Sequence, residues 1–340
     1  QLSDDQLSMI ILGVCMAAAC GSILADRLAV KLSSRFAIVL GFIFEAIGIA
    51  LAAFSTHLNL MIVSFLLYGI GLGCLDAALN MQAVMVEHKL GKSALGGFFA
   101  CYTAAAFLGA LIMSATVSTT LGATAALYVA VIIALLTAQC SKAWLFQQKE
   151  PTSTRPEQKS PIPLKQFWIF GIIILIAFSV DSAISTWSSI YLKDVLASSA
   201  TVAPLGYAAY QIGILFTRLS LDHILKFKSA SWLVVMTILI GAVGCAIAGI
   251  GQSLTIVILG FALAGVAVGA LVPLTFSAVG RLDESRRDEI IARVNIFNYG
   301  GAVAGAVLVG LLASPIGYGP SFLALAFALL YVLLFRKRFN

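Results

Sequence analysis

Asp76, Asn80 and Glu87 stand in the stretch GLGCLDAALNMQAVMVE, residues 71–87, whose other side chains are mostly apolar or small. At about 100° per residue, Asp76, Asn80, Ala83 and Glu87 stay within about 40° of one another and form one stripe down a helix. An ionised carboxylate at the centre of a bilayer costs about 2.5–3.5 kcal/mol on insertion scales, so it is expected to face a wet cavity or a bundle interior. A partly desolvated aspartate there can load and release a proton. The same residue also suits a static hydrogen bond between helices. Asp76 is therefore the leading proton-coupling candidate, with Asn80 beside it as a solute contact. Glu45, in the middle of another apolar run and without a local partner, is a second proton candidate.

A second set lies in DSAISTWSSIYLKDVL, residues 181–196. Asp181, Ser185 and Ser188 share one helical face, while Ile184, Trp187 and Tyr191 line a neighbouring one. Carboxylate, hydroxyls and aromatic rings together suit a polar solute with an apolar face, such as a sugar. They also suit a hydrophobic cation, and Trp187 and Tyr191 equally fit a belt at the membrane interface. Asp181 is thus a candidate for both proton and solute. Tyr207, Gln211, Asn295 and Asn298 add hydrogen-bonding groups inside apolar runs; the two asparagines also suit helix-to-helix contacts. Arg218, one turn before Asp222, reads as a snorkelling arginine paired with that aspartate at the boundary.

These residues need a membrane around them. Of 340 residues 61% are hydrophobic and 11% charged, against about a quarter charged in soluble domains. Apolar runs fall at roughly 9–25, 36–55, 59–86, 94–118, 123–145, 167–191, 203–221, 230–250, 254–280, 290–312 and 320–335, most near the ~20 residues that span hydrocarbon as a helix. The net charge of +6 reflects where the cations lie: 19 of 21 Lys and Arg fall in one set of loops. That asymmetry places those loops in the cytoplasm and removes the need for a nucleic-acid partner. The six cysteines show no C-x-x-C spacing and His57, His88 and His223 stand singly, which argues against a metal site or a nucleophile with its base. GKSALGG, residues 91–97, resembles a phosphate loop, but Val86 replaces its first glycine and no strand precedes it, so ATP drive has no support.

A repeat organises the runs. The Pro-rich, charged segment at 147–166 reads as a cytoplasmic linker between a first bundle, 1–146, and a second, 167–340. A constant shift of 196 residues lays Asp26 on Asp222, Ser33 on Ser229, Gly48 on Gly244, Gly69 on Gly265 and Gly73 on Gly269. Under this shift Gln1 falls on Ala197, so the first half's copy of the run at 167–191 would precede residue 1. With Gln rather than Met at the start, the expectation is a fragment lacking its first helix, whose parent has twelve spans as six plus six. Asp76, Asn80, Glu45 and Arg218 fall on Val272, Phe276, Gly241 and Ser22. A charge present in one half only breaks the symmetry, and that is where function is sought.

SILADRLAVKLSSR, residues 22–35, resembles the loop signature G-x-L-x-D-R-x-G-R-K of the major facilitator superfamily, with Leu24, Asp26, Arg27 and Lys31 in register. A degraded copy, RLSLDHILKFK, holds Asp222. The stretches at 71–87, 181–196 and 265–281 resemble the fucose-permease-like branch of that superfamily and its bacterial sugar- or drug-permease members. The resemblance implies an all-α polytopic fold of two pseudo-symmetric helix bundles and alternating access between them. It implies a secondary transporter rather than an enzyme, proton-coupled, with no cofactor beyond a proton gradient and a sugar-like solute favoured. Drug or metabolite efflux and a non-transporting solute sensor are the alternatives. It further implies that Asp26, Arg27, Lys31, Arg218 and Asp222 belong to a conformational latch, and that the chain works as a monomer in a bacterial inner membrane, its linker and C-terminus cytoplasmic.

Overall fold

In hydrocarbon every backbone N–H and C=O must find a partner within the chain, so long apolar runs fold as helices. The computed structural model describes residues 4–90, 95–120, 122–147, 164–282 and 287–339, and among these there is no strand. The helices are α1 (Asp4–Lys31), α2 (Ser34–Ala53), α3 (Leu58–Leu90), α4 (Leu95–Thr116), α5 (Ala123–Trp144), α6 (Leu164–Asp194), α7 (Leu205–Leu225), α8 (Ala230–Ile250), α9 (Leu254–Gly280), α10 (Arg287–Val303), α11 (Val309–Ile316) and α12 (Tyr318–Val332). A π-helical turn, Ala304–Leu308, joins α10 to α11 without a break, so each of the eleven expected spans lies on one helical rod. Among the described residues nine helices are long and apolar enough to cross a membrane, and Ala100–Thr116 is a shorter apolar helix. The fold is all-α and polytopic. Most of the expected linker lies outside the described residues.

By Cα proximity the chain forms two compact units. One comprises Met9–Phe99 and Thr116–Lys159; the other Gln1–Ser8, Ala100–Ala115 and Ser160–Asn340. Within the first, α2 packs against α3 and α5, around a core of Ala25, Ala37, Ile38, Cys74, Leu75 and Ala78. Within the second, α9 packs against α6, α7 and α8, the π turn against α6, and α12 against α8.

Glycine sets how closely these rods cross. A methyl group on Gly48 would stand 2.6 Å from Tyr68 N and 2.8 Å from Ser64 O; on Gly244 it would stand 2.5 Å from Ala264 N and 2.6 Å from Gly260 O. Residues 68 and 264, and 64 and 260, are again 196 apart, so the repeat holds in the contacts as well as in the sequence. The same is true where Gly69 meets the Val14 carbonyl and Gly265 the Tyr210 carbonyl.

Two matched serines start matched helices. Ser33 caps α2 by accepting from Phe36 N, and Ser229 caps α8 by accepting from Trp232 N, each at 3.2 Å. Each satisfies an N–H that the helix start leaves open. Ser33→Ala and Ser229→Ala are each expected to cost about 1 kcal/mol, and the glycine variants only a few tenths, in the thermal unfolding of the detergent-purified protein.

Candidate functional site

The second unit gathers a polar network that its apolar helices must otherwise exclude. Asp181, on α6, accepts a hydrogen bond at Oδ1 from the Tyr210 hydroxyl of α7, 2.9 Å away. Next to Tyr210 in sequence, Gln211 is buried, and its Nε2 donates to the hydroxyl of Tyr207, one turn back, at 2.5 Å. Arg218 lies about 12 Å farther along the α7 axis than Tyr210. Side chains on a helix lean toward its N-terminus, so the long arginine stem reaches back toward that pair. Its guanidinium is within electrostatic reach of Asp181, Tyr210 and Tyr102, and its Nη1 donates to Oγ1 of Thr103, a buried residue on α4. Three helices of one unit thus share one carboxylate, one guanidinium and several hydroxyls.

The part of the network carried by α6 and α7 belongs to one half of the repeat. Tyr207, Tyr210, Gln211 and Arg218 fall on Ile11, Val14, Cys15 and Ser22 of α1. Yet α1 and α7 make the same glycine crossing with their neighbours. The scaffold is duplicated and the chemistry is not.

The remaining predicted residues take varied positions. Ser185 is exposed and donates to the Ser182 carbonyl at 3.1 Å. Ser188 is fully buried and its hydroxyl has no partner among the described residues. Trp187 is fully buried, donates from Nε1 to the Ala306 carbonyl at 2.8 Å, and has its ring 5.6 Å from that of Tyr318. Tyr191 packs 5.9 Å from Tyr318 and 5.3 Å from Phe322. In this conformation both rings are buried and pack against neighbouring aromatic residues. Trp187 and Ser182 instead fasten α6 to α10 and the π turn, with Ser182 donating to the Ala302 carbonyl at 2.7 Å. A π turn inside an α-helix is a frequent mark of a functional segment.

In the first unit Asp76 is half-buried on α3 and Asn80 exposed one turn on. The Asn80 amide donates to the Asp76 carbonyl at 2.8 Å and lies 3.5 Å from its Oδ1, so these two members of the predicted stripe meet on one helix. Glu45 is half-buried on α2, and a methyl on Gly71 would meet its backbone N at 2.7 Å and its Cγ at 2.9 Å. Gly71 therefore opens the space that the Glu45 side chain occupies. In the second half the matching pair is Gly241 and Ala267, with no carboxylate.

Asp26, Arg27 and Lys31 are exposed at the end of α1, and Asn298 is half-buried on α10. The side chains of Glu87, Asp222 and Asn295 lie outside the described residues. Sequence reasoning missed Tyr210, Tyr102 and Thr103. The signal was present for Tyr210, because the repeat places valine opposite it.

Comparisons with known proteins bear on the fold. The profile of the family described as Major Facilitator Superfamily matches residues 1–236. An uncharacterised transporter of that type from Yersinia pestis is 24% identical over 333 residues, covering 97% of this chain and 86% of the relative. Among solved structures, a mutant of the nucleoside transporter NupG superposes with a TM-score of 0.76 at 14% identity, covering 99% of this chain and 91% of that one. The E. coli fucose:proton symporter FucP, as a point variant, superposes with a TM-score of 0.62 at 16% identity, covering 99% and 95%.

Proposed function

We propose, from the premise that this chain belongs to the Major Facilitator Superfamily, that it carries a small sugar-like solute across the membrane by alternating access, coupled to protons. The observation that supports this reading is the Asp181–Tyr210 hydrogen bond within reach of Arg218. An ionised Asp181 accepts from Tyr210 and balances the arginine charge. Protonation at its carboxylate removes that balance and weakens what holds α6, α7 and α4 together, which gives a proton something to switch. Asp181 takes the leading coupling role because its carboxylate bridges two helices through Tyr210. Asp76 and Glu45 remain proton candidates of the first half. Asp26, Arg27 and Lys31 keep the role of a latch on the side where the basic loops lie, which the charge bias assigns to the cytoplasm.

A solute class follows from the groups available. Tyr207, Gln211 and the unpartnered Ser188 hydroxyl offer donors and acceptors suited to sugar hydroxyls. The two solved neighbours named above are transporters of a nucleoside and of fucose, both of which contain a sugar ring. Lipophilic cations are the second reading, favoured by Asp181 among aromatic rings.

Thermal unfolding of the purified protein with sugars, nucleosides and lipophilic cations separates the two. A ligand at a hundred times its dissociation constant stabilises by about 2.7 kcal/mol, and the expected result is a shift with sugar-containing solutes. Shifts with lipophilic cations alone would favour efflux. Solute counterflow in vesicles then distinguishes a carrier from a sensor, which binds but does not exchange.

A further inference from the structure

At the ends of α1, α2 and α5 the first unit has an open cavity of about 530 Å³. Lys31, Arg35 and Lys142 line it, and no carboxylate is among the described residues that line it. They come from the last turn of α1, the start of α2 and the last turn of α5. Leu32 and Phe36 share the lining and are 49% and 45% exposed.

The walls are held in place. Arg35 Nη1 donates to the Lys142 carbonyl at 2.9 Å, which ties α2 to α5. Behind them Gln82 of α3 is buried, and its Nε2 donates at 2.8 Å both to Ser34 Oγ and to the Phe146 carbonyl. Its Oε1 accepts from Phe146 N at 3.1 Å. A fourth cation, Lys89, sits 3.6 Å from the centroid of the Phe146 ring. One buried glutamine therefore fixes both sides of a basic cleft.

Like charges gathered on a fixed frame repel, and an anion in the cleft relieves the repulsion. We propose that this cavity binds the phosphate headgroup of an anionic phospholipid. Phosphate oxygens suit the two lysines and the arginine, and basic pockets at helix ends are where such headgroups dock. A soluble phosphoester needs the same cations but gains nothing from exposed Leu32 and Phe36. A lipid has glycerol and acyl chains to lay against them.

The test follows thermal unfolding of the full chain in neutral detergent, with phosphatidylglycerol, phosphatidylcholine or glycerol phosphate added. Phosphatidylglycerol is expected to reach its half-effect at about a tenth of the phosphatidylcholine concentration. That advantage should vanish in a Lys31→Gln, Lys142→Gln double variant and persist in Arg35→Lys. Equal effects of the two lipids, or an undiminished advantage in the double variant, would overturn the proposal. Glycerol phosphate acting at the same concentration as phosphatidylglycerol would overturn it too, by making the ligand a soluble phosphoester. If the double variant does not fold, salt decides on the wild type: raising NaCl from about 0.05 to 0.5 M should erode the advantage by screening, and an unchanged advantage rejects an electrostatic headgroup site.

Discussion

Asp181→Asn is expected to abolish uphill accumulation of solute in proteoliposomes while sparing solute counterflow. One pH unit across the membrane supplies about 1.4 kcal/mol per proton, enough for about tenfold accumulation with one proton per solute. The variant should bring that ratio down to about one, because asparagine keeps the shape and can still accept from the Tyr210 hydroxyl but binds no proton. Counterflow needs only that the loaded carrier reorient, so it should survive. The two readings together separate coupling from binding: a variant that had lost its solute site would lose both. Asp76→Asn measured alongside decides between the two carboxylates. If it loses accumulation while Asp181→Asn retains it, the coupling role returns to α3.

How far these assignments could be seen in the sequence depended on what fixes each one. The spans, the linker and the internal repeat rest on composition and spacing, and the structure extends the repeat to its caps and crossings: Ser33 with Ser229, Gly48 with Gly244. The local pair of Asp76 and Asn80 was legible because one turn of helix suffices to bring them together. Side-chain direction was not. On α6 the face bearing Asp181 and the face bearing Trp187 are close neighbours, and it is Tyr318, Phe322 and the Ala306 carbonyl that draw the aromatic residues inward. None of those three is near α6 in sequence. Arg218 posed the same problem along the helix axis. Asp222 was its sequence neighbour, but the long arginine side chain also brings α6 and α4 within range, and only tertiary packing reveals Thr103 there.

Arg218→Gln is expected to destabilise the protein by about 2 kcal/mol, through loss of a hydrogen bond from a charged donor and of the charge that balances Asp181. A merely structural arginine would make the same cost independent of residue 181. The network predicts otherwise: in the double variant Arg218→Gln, Asp181→Asn, no carboxylate is left unbalanced, and about half or more of the lost stability should return as a coupling of about 1 kcal/mol or larger. Thermal unfolding of the two single variants and the double variant measures that coupling. Additive losses within about 0.5 kcal/mol would mean that Arg218 acts independently of Asp181 and that Asp181 has no part in fastening α7 to α4. A clear coupling would make the carboxylate and the arginine one element, so that a proton arriving at Asp181 reaches α4 through Arg218.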